Sequence, residues 1–124
     1  MKAVVIDDSR AMRLILGDLL VQAGFEISEA GDGKQGLAVL DGDQEIPTLV
    51  LVDWNMPEMN GLEFIEAVRS QHCYDGMRLL VVTSEADIAH MQEALNAGAD
   101  EYLMKPFSSE ALMSKLELLQ LVQQ

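Results

Sequence analysis

Basic residues are scarce in this sequence, and their scarcity excludes several kinds of partner. The chain has 8 lysine and arginine residues against 21 acidic ones, which gives a formal net charge of −13. A chain this acidic repels nucleic acid, because binding it needs lysine and arginine clustered against phosphates. The same charge disfavours anionic membrane surfaces. We therefore expect no nucleic-acid and no membrane partner.

Cysteine and long apolar runs are also rare. Cys73 is the only cysteine, so no internal disulfide can form, which fits a reducing compartment. No run approaches the roughly 18 apolar residues that a membrane helix needs. The N-terminal AVVIDD is too short and too acidic for a signal peptide. We expect a cytoplasmic protein whose residues 1–124 form one domain, without linkers or repeats.

Short aliphatic runs alternate five times with segments of helical periodicity. The runs are AVVID (3–7), FEISEA (25–30), TLVLVD (48–53), RLLVVT (78–83) and EYLMK (101–105). The first helical segment is an apolar stripe from Met12 to Ala23 that ends at Gly24, the second runs from Lys34 to Leu40, and the third runs from Asn60 to Ser70 with Asn60 and Glu63 as a capping pair. The fourth is marked by Ile88, Met91 and Leu95 and ends at Gly98. The fifth is marked by Leu112, Leu116 and Leu119 and is capped by Ser108 or Ser109.

This alternation predicts an α/β fold, a parallel five-stranded sheet with helices on both faces. Right-handed crossovers leave few topologies. One is the flavodoxin-like doubly wound (βα)5 arrangement with strand order 2-1-3-4-5. In that order the first and third strands are neighbours where the winding reverses, and ligands bind beyond the carboxyl ends of the strands at that point.

Four of the five runs end on a polar residue that can carry chemistry. Asp7 and Asp8 follow the first run, and Asp53, Thr83 and Lys105 end the third, fourth and fifth. In the 2-1-3-4-5 order these ends converge on one edge. Two unit charges ~4 Å apart repel by about 4 kcal/mol at an effective dielectric constant near 20. Either one carboxyl group stays protonated, or a cation lies among them.

A phosphoryl site accounts for this set of residues. Oxygen ligands suit Mg²⁺, which also accepts a phosphate oxygen, and an anion bridging Mg²⁺ and Lys105 can accept a hydrogen bond from Thr83. No Ser–His or Cys–His pair is evident, whereas a carboxylate such as Asp53 can itself accept a phosphoryl group. Taken singly, Asp8 would be interpreted as a helix cap, Thr83 as a turn residue and Lys105 as a surface lysine. Their conjunction favours the phosphoryl site.

Four segments together resemble the receiver domain of two-component response regulators. They are VVIDDS, LVLVDWNMPEMNGLEFIEAVR, LLVVTSEA and NAGADEYLMKPFSSEAL, and the resemblance covers essentially the whole chain. It is strongest to the CheY-like single-domain chemotaxis regulators. It implies a phosphorylation-dependent switch that takes a phosphoryl group from a sensor histidine kinase or phosphotransfer protein. Such a switch catalyses only its own phosphorylation and dephosphorylation.

The resemblance also implies residue roles. Asp53 matches the phosphoacceptor. The ligands of Mg²⁺ (or Mn²⁺) would be Asp8, Asp53, the backbone carbonyl of Asn55 and, through water, Asp7. Lys105 matches the lysine that contacts the phosphoryl group.

Further roles follow for the switch and for phosphoryl loss. Thr83 matches the hydroxyl residue that moves toward the phosphoryl group, and Tyr102 matches the aromatic switch of the fifth strand. Asn55 and Glu85 match the positions that tune self-dephosphorylation. The bond before Pro106 is expected to be cis. The output surface would be formed by the fourth helix, fifth strand and fifth helix.

Several alternatives stay open at this point. Asp87 and Ile88 stand where flagellar regulators carry adjacent lysines, which disfavours a flagellar target. The other possible targets are another regulator, a phosphorelay protein, or a kinase that uses the chain as a phosphate sink. A stand-alone Mg²⁺-dependent aspartyl phosphohydrolase and a fragment of a longer regulator are further alternatives. Leu118 and Leu121 point away from the inward stripe, which indicates a fraying turn or a self-association surface on an otherwise monomeric protein.

Trp54 is interpreted as a partly buried loop aromatic and His90 as a surface residue.

Overall fold

A single parallel sheet of five strands forms the centre of the computed structural model, which describes residues 1–122. The strands are β1 (Lys2–Ile6), β2 (Glu26–Ala30), β3 (Leu49–Asp53), β4 (Arg78–Ser84) and β5 (Glu101–Lys105). Their order is β2-β1-β3-β4-β5, and every neighbouring pair is parallel. The predicted doubly wound α/β fold is therefore confirmed.

Five α-helices connect and follow the strands. They are α1 (Arg10–Gln22), α2 (Gly33–Gly42), α3 (Gly61–Arg69), α4 (Met91–Ala97) and α5 (Ser109–Leu118). The predicted stops after α1 and α4 are Gly24 and Gly98, whose φ angles of 102° and 124° favour glycine. Asn60 and Glu63 form the predicted capping box. Within residues 1–122 no helix is long and apolar enough to cross a membrane.

The region before α4 differs from the expectation that Ile88 belongs to an α-helix. Glu85–His90 is a 3₁₀ helix, and α-helical geometry begins only at Met91. The hydroxyl of Ser84, the residue before this 3₁₀ helix, donates to the side chain of Asp87 instead of capping the backbone. A second 3₁₀ helix, His72–Tyr74, lies between α3 and β4.

The sheet divides the apolar core into two layers because side chains alternate between its faces. One layer packs α1 and α5 against alternate strand residues: Ala3, Val5, Leu49, Leu51, Leu80, Val82 and Leu103. The other packs α2, α3 and α4 against the intervening strand residues: Val4, Ile6, Val50, Val52, Leu79 and Val81. The three central strands are thus covered on both faces, as their continuous apolar sequences predict.

Gly61 brings the start of α3 unusually close to the end of β3. Its backbone N–H donates to the carbonyl of Trp54 at 3.0 Å. A Cβ at Gly61 would lie 3.0 Å from the carbonyl oxygen of Asp53 and 3.0 Å from the Cα of Trp54. A side chain here would require these backbone atoms to move by a few tenths of an ångström, so Gly61 helps to position the residues that follow β3.

We expect Gly61→Ala to lower the free energy of unfolding by about 1–3 kcal/mol, because the new methyl group presses on backbone atoms that cannot rotate away. The matched control is Gly42→Ala in α2, where an added Cβ meets no atom within 4 Å. That change should be neutral or stabilise by up to about 1 kcal/mol. Urea denaturation measures both. Equal stability of the two variants would show that the close approach of α3 is not required.

Candidate functional site

The register of the sheet brings Asp7 and Asp53 side by side. β1 pairs with β3 so that Ile6 lies opposite Val52. The residue that follows each of them is an aspartate, Asp7 after Ile6 and Asp53 after Val52. Alternation places both carboxyl groups toward the face covered by α1 and α5. Lys105, at the end of β5, points to the same face, and its long side chain reaches back across β4.

These side chains form a compact charged cluster. The Nζ of Lys105 lies 3.4 Å from Oδ2 of Asp7 and 3.5 Å from Oδ1 of Asp53. Asp7 is 1% exposed and Asp53 8% exposed, whereas Asp8 is exposed. One carboxylate oxygen from each of the three aspartates lies within 4.8 Å of the other two. The sequence predicts that these four residues and Thr83 share one pocket; the three aspartates and Lys105 do lie together, whereas Thr83 does not join them.

The electrostatics of the cluster disfavour a charged Asp53. The pKa of Asp53 is raised to about 6, chiefly by burial, next by the neighbouring carboxylate of Asp7 and least by that of Asp8. Lys105 opposes both effects by attracting the negative charge. A divalent cation among the three oxygens would favour the charged form more strongly. The donor set, which consists of carboxylate oxygens, is the kind that Mg²⁺ and Mn²⁺ prefer.

Asp7 is held by contacts that the sequence analysis did not identify. Its Oδ1 accepts a hydrogen bond from the backbone N–H of Ser9 at 2.8 Å, and its backbone oxygen accepts one from Nη1 of Arg13 at 2.6 Å. Arg13 also forms an ion pair with Glu29 at 3.0 Å. The sequence does carry a signal for the first contact, because Ser9 caps α1 directly after the two aspartates. It carries none for Arg13, whose partners depend on how α1 lies against the sheet.

Thr83 and Tyr102 lie on the opposite face of the sheet from the cluster. Val81 pairs with Tyr102, and alternation puts Thr83 on the same face, two residues nearer the carboxyl edge. Thr83 is 1% exposed, and its hydroxyl donates to the backbone oxygen of Ser84 at 3.4 Å, not to a carboxylate of the cluster. Tyr102 is half-buried, and Nζ of Lys115 lies 4.7 Å from its ring centroid.

The remaining predicted site residues lie at the rim. Asn55 and Glu85 are both exposed, and the side-chain amide of Asn55 donates a hydrogen bond to Asp87. The peptide bond between Lys105 and Pro106 is cis. The structure thus brings the aspartates and Lys105 together directly, while the other predicted residues surround them without joining the charged cluster.

Trp54 corrects an expectation. It was predicted to be a partly buried loop aromatic, but it is only 8% exposed and belongs to the core layer under α2, α3 and α4. Its ring stacks on the exposed His90 with the centroids 5.8 Å apart. Local sequence could not reveal this pair, because it depends on the path of Glu85–His90 past the end of β3.

Comparison with known proteins gives a consistent family. Residues 3–117 match the family model of the response regulator receiver domain. A chemotaxis protein CheY homolog of Campylobacter jejuni is 40% identical over 118 residues, which are 94% of this chain and 90% of that protein. The chemotaxis protein CheY1 of Helicobacter pylori is 39% identical over 119 residues, 95% of each chain.

Solved structures agree with this comparison. The chemotaxis response regulator CheY4 of Vibrio cholerae superposes with a TM-score of 0.86 at 35% identity, covering 95% of this chain and 97% of that one. A probable two-component response regulator with a GGDEF domain superposes with a TM-score of 0.88 at 27% identity, covering 98% of this chain and 50% of that one. The same fold therefore occurs as a separate chain and as part of a longer one.

We expect Asp53→Asn to stabilise the metal-free protein above pH 6. The pKa of Asp53 is about 6 in the folded chain, against an ordinary value of 3.8. The folded chain therefore binds this proton more tightly, and stability falls as pH rises through that interval. The variant should gain about 3 kcal/mol at pH 7.5, since the pKa differs by about two units and one unit corresponds to about 1.4 kcal/mol. The gain should vanish near pH 4.

Urea denaturation in EDTA at a series of pH values measures this difference. Asp18→Asn is the matched control, because Asp18 is an exposed acid on α1, and it should show no such pH-dependent gain. A constant difference between Asp53→Asn and the unmodified chain from pH 4 to 7.5 would contradict the prediction.

Proposed function

Because the chain belongs to the response regulator receiver domain family and its relatives are of CheY type, we propose that it is a phosphorylation-dependent signalling switch that accepts a phosphoryl group on Asp53. Two-component signalling is the family's role, and its members are signalling proteins, not metabolic enzymes. The family assignment favours this switch over a stand-alone phosphohydrolase.

One observation carries the proposal: three aspartates and one lysine meet at the carboxyl edge of the sheet. Lys105 is within 3.5 Å of Asp53, and oxygens of Asp7 and Asp8 lie within 4.8 Å of an Asp53 oxygen. A lone buried carboxylate would serve as a poor electrostatic site for a phosphoryl group. A carboxylate with a cation on one side and further oxygen donors on the other has the parts that phosphoryl transfer needs, namely positioning and charge neutralisation.

In the proposed reaction an oxygen of Asp53 attacks phosphorus in the donor. A bond forms between that oxygen and phosphorus, and the bond from phosphorus to the donor atom breaks, with the electron pair leaving on the donor. Lys105 neutralises charge on the transferred group, which is why its ammonium must stay near Asp53. In the reverse direction, water attacks phosphorus and releases inorganic phosphate and the free carboxylate of Asp53.

A divalent cation, Mg²⁺ (or Mn²⁺), belongs to this proposal. Asp8, Asp53 and the backbone carbonyl of Asn55 would hold it directly, and Asp7 through water. When bound, the cation supplies positive charge that offsets the aspartates and the incoming phosphoryl oxygens. Asp7 is kept in place for this role by Ser9 and Lys105.

Phosphorylation would be read out on the other face of the sheet. A phosphoryl group on Asp53 would draw the Thr83 hydroxyl away from Ser84 and free space for the Tyr102 ring. Lys115, which covers that ring, would then lose its contact, so the surface of α4, β5 and α5 would change. This is a shift between two populated states, biased by contacts that only one of them can make.

The wider assignment follows from the relatives. They are named chemotaxis proteins, so we propose a chemotaxis-type regulator in the cytoplasm, in which residues 1–124 act as one receiver domain. A sensor histidine kinase or phosphotransfer protein would supply the phosphoryl group. The downstream target would be a protein that binds the surface of α4, β5 and α5, and the chain itself would act as a monomer.

Intact mass spectrometry after incubation with acetyl phosphate and Mg²⁺ tests the central claim. We expect one added phosphoryl group on the unmodified chain, none on Asp53→Asn and none in EDTA, because both the nucleophile and the cation are required. Asp18→Asn, which removes an exposed carboxyl group from α1, should be labelled like the unmodified chain. Labelling of Asp53→Asn at the full level would refute Asp53 as the acceptor.

Hydrogen–deuterium exchange with acetyl phosphate present tests the readout. We expect phosphorylation to change exchange in residues 85–97 and 101–105 of the unmodified chain. Thr83→Ala should still be phosphorylated but show little of that change, because no hydroxyl responds to the phosphoryl group. Thr83→Ser is the matched control and should behave like the unmodified chain. A full exchange response in Thr83→Ala would show that the signal does not pass through this hydroxyl.

A further inference from the structure

The 3₁₀ helix Glu85–His90 is attached to the molecule in an unusual way. None of its six residues is buried, so packing of its own side chains contributes little to holding it. Its hydrogen-bond geometry is also weaker than that of an α-helix. It nevertheless lies directly after β4, and two residues that follow Asp53 contact it. These two contacts tie the segment to the loop that follows β3.

The first contact runs through Asp87. Its Oδ2 accepts a hydrogen bond from the side-chain amide of Asn55 and another from the hydroxyl of Ser84 at 3.1 Å. Asn55 is two residues after Asp53, and Ser84 is the residue after Thr83. Hydrogen bonds to a carboxylate are stronger than those between neutral groups. A single oxygen thus joins the two loops that border the candidate phosphoryl site.

The second contact is the stacking of Trp54 on His90. Trp54 is buried, so its position is fixed by the core, and the backbone on either side of it has little freedom. Asn55 follows Trp54 immediately, which leaves its side chain as the freely rotating part of this loop. Asp87 removes that freedom by holding the amide nitrogen, and it leaves the amide oxygen of Asn55 available as an acceptor.

We propose that Asp87 is a positioning residue for hydrolysis of the acyl phosphate, an inference that rests on the proposed function and deepens it. Asp87 holds Asn55 so that its free amide oxygen orients the attacking water. In that step the water oxygen bonds to phosphorus, the bond between phosphorus and the Asp53 oxygen breaks with its electron pair on the carboxylate, and the water protons pass to phosphate and solvent. Loss of orientation in such a step slows it.

The experiment follows decay of the acyl phosphate by intact mass after acetyl phosphate is removed and Mg²⁺ is kept. We expect Asp87→Ala to slow decay by about three- to ten-fold, a typical cost of losing one orienting contact. Asp87→Asn should restore most of the rate, because its carbonyl oxygen can accept the same hydrogen bonds. Glu93→Ala removes an exposed negative charge from α4 and should decay like the unmodified chain.

A double-mutant cycle separates positioning from general loosening. Asn55→Ala should also slow decay, and Asn55→Ala with Asp87→Ala should decay no more slowly than Asn55→Ala alone, because Asp87 acts through Asn55. Additive effects would overturn the inference, as would unchanged decay in Asp87→Ala or equal slowing in Glu93→Ala. If the unmodified chain takes up no phosphoryl group, both proposals fall. If it is labelled but Asp87→Ala decays normally, only this inference falls.

Discussion

Repulsion between two carboxylates that the sheet holds side by side governs the electrostatics of its carboxyl edge. β1 and β3 are adjacent and in register, so Asp7 and Asp53 meet at the carboxyl edge as long as the sheet exists. Burial makes the repulsion stronger, and it raises the pKa of Asp53 to about 6. Lys105, at the end of β5, offsets part of this repulsion with its positive charge. The fold thus maintains an unfavourable charge arrangement that a bound cation would relieve.

The sheet also separates the charged cluster from the residues of the proposed readout. Asp7, Asp53 and Lys105 belong to the layer under α1 and α5, whereas Thr83 and Tyr102 belong to the layer under α4. β4 and β5 present alternate residues to the two layers, so in the proposed switch the Thr83 hydroxyl, at the carboxyl end of β4, would connect the two layers.

Much of this arrangement was predictable from the sequence because it depends on strand and helix periodicity. Continuous apolar runs ending in Asp53 and Lys105 indicate central parallel strands, and the parallel order then dictates which ends meet. Contacts between loops were not predictable. Asn55 and Asp87 are 32 positions apart, and neither lies in a repeating pattern, so only the folded path of Glu85–His90 brings them together. The burial of Trp54 and the anchoring of Asp7 by Arg13 have the same origin.

The alternation of strand side chains limits where the length of this chain can change. Deleting one residue inside β3 would turn the carboxyl group of Asp53 toward α3 and away from Lys105, even if every hydrogen bond of the sheet re-formed. The segment 43–48 enters β3 at the opposite, amino edge, where a longer connection does not alter that alternation, and its residues 44–46 are exposed. Inserted peptides, affinity tags or new chain ends therefore belong at the amino edge.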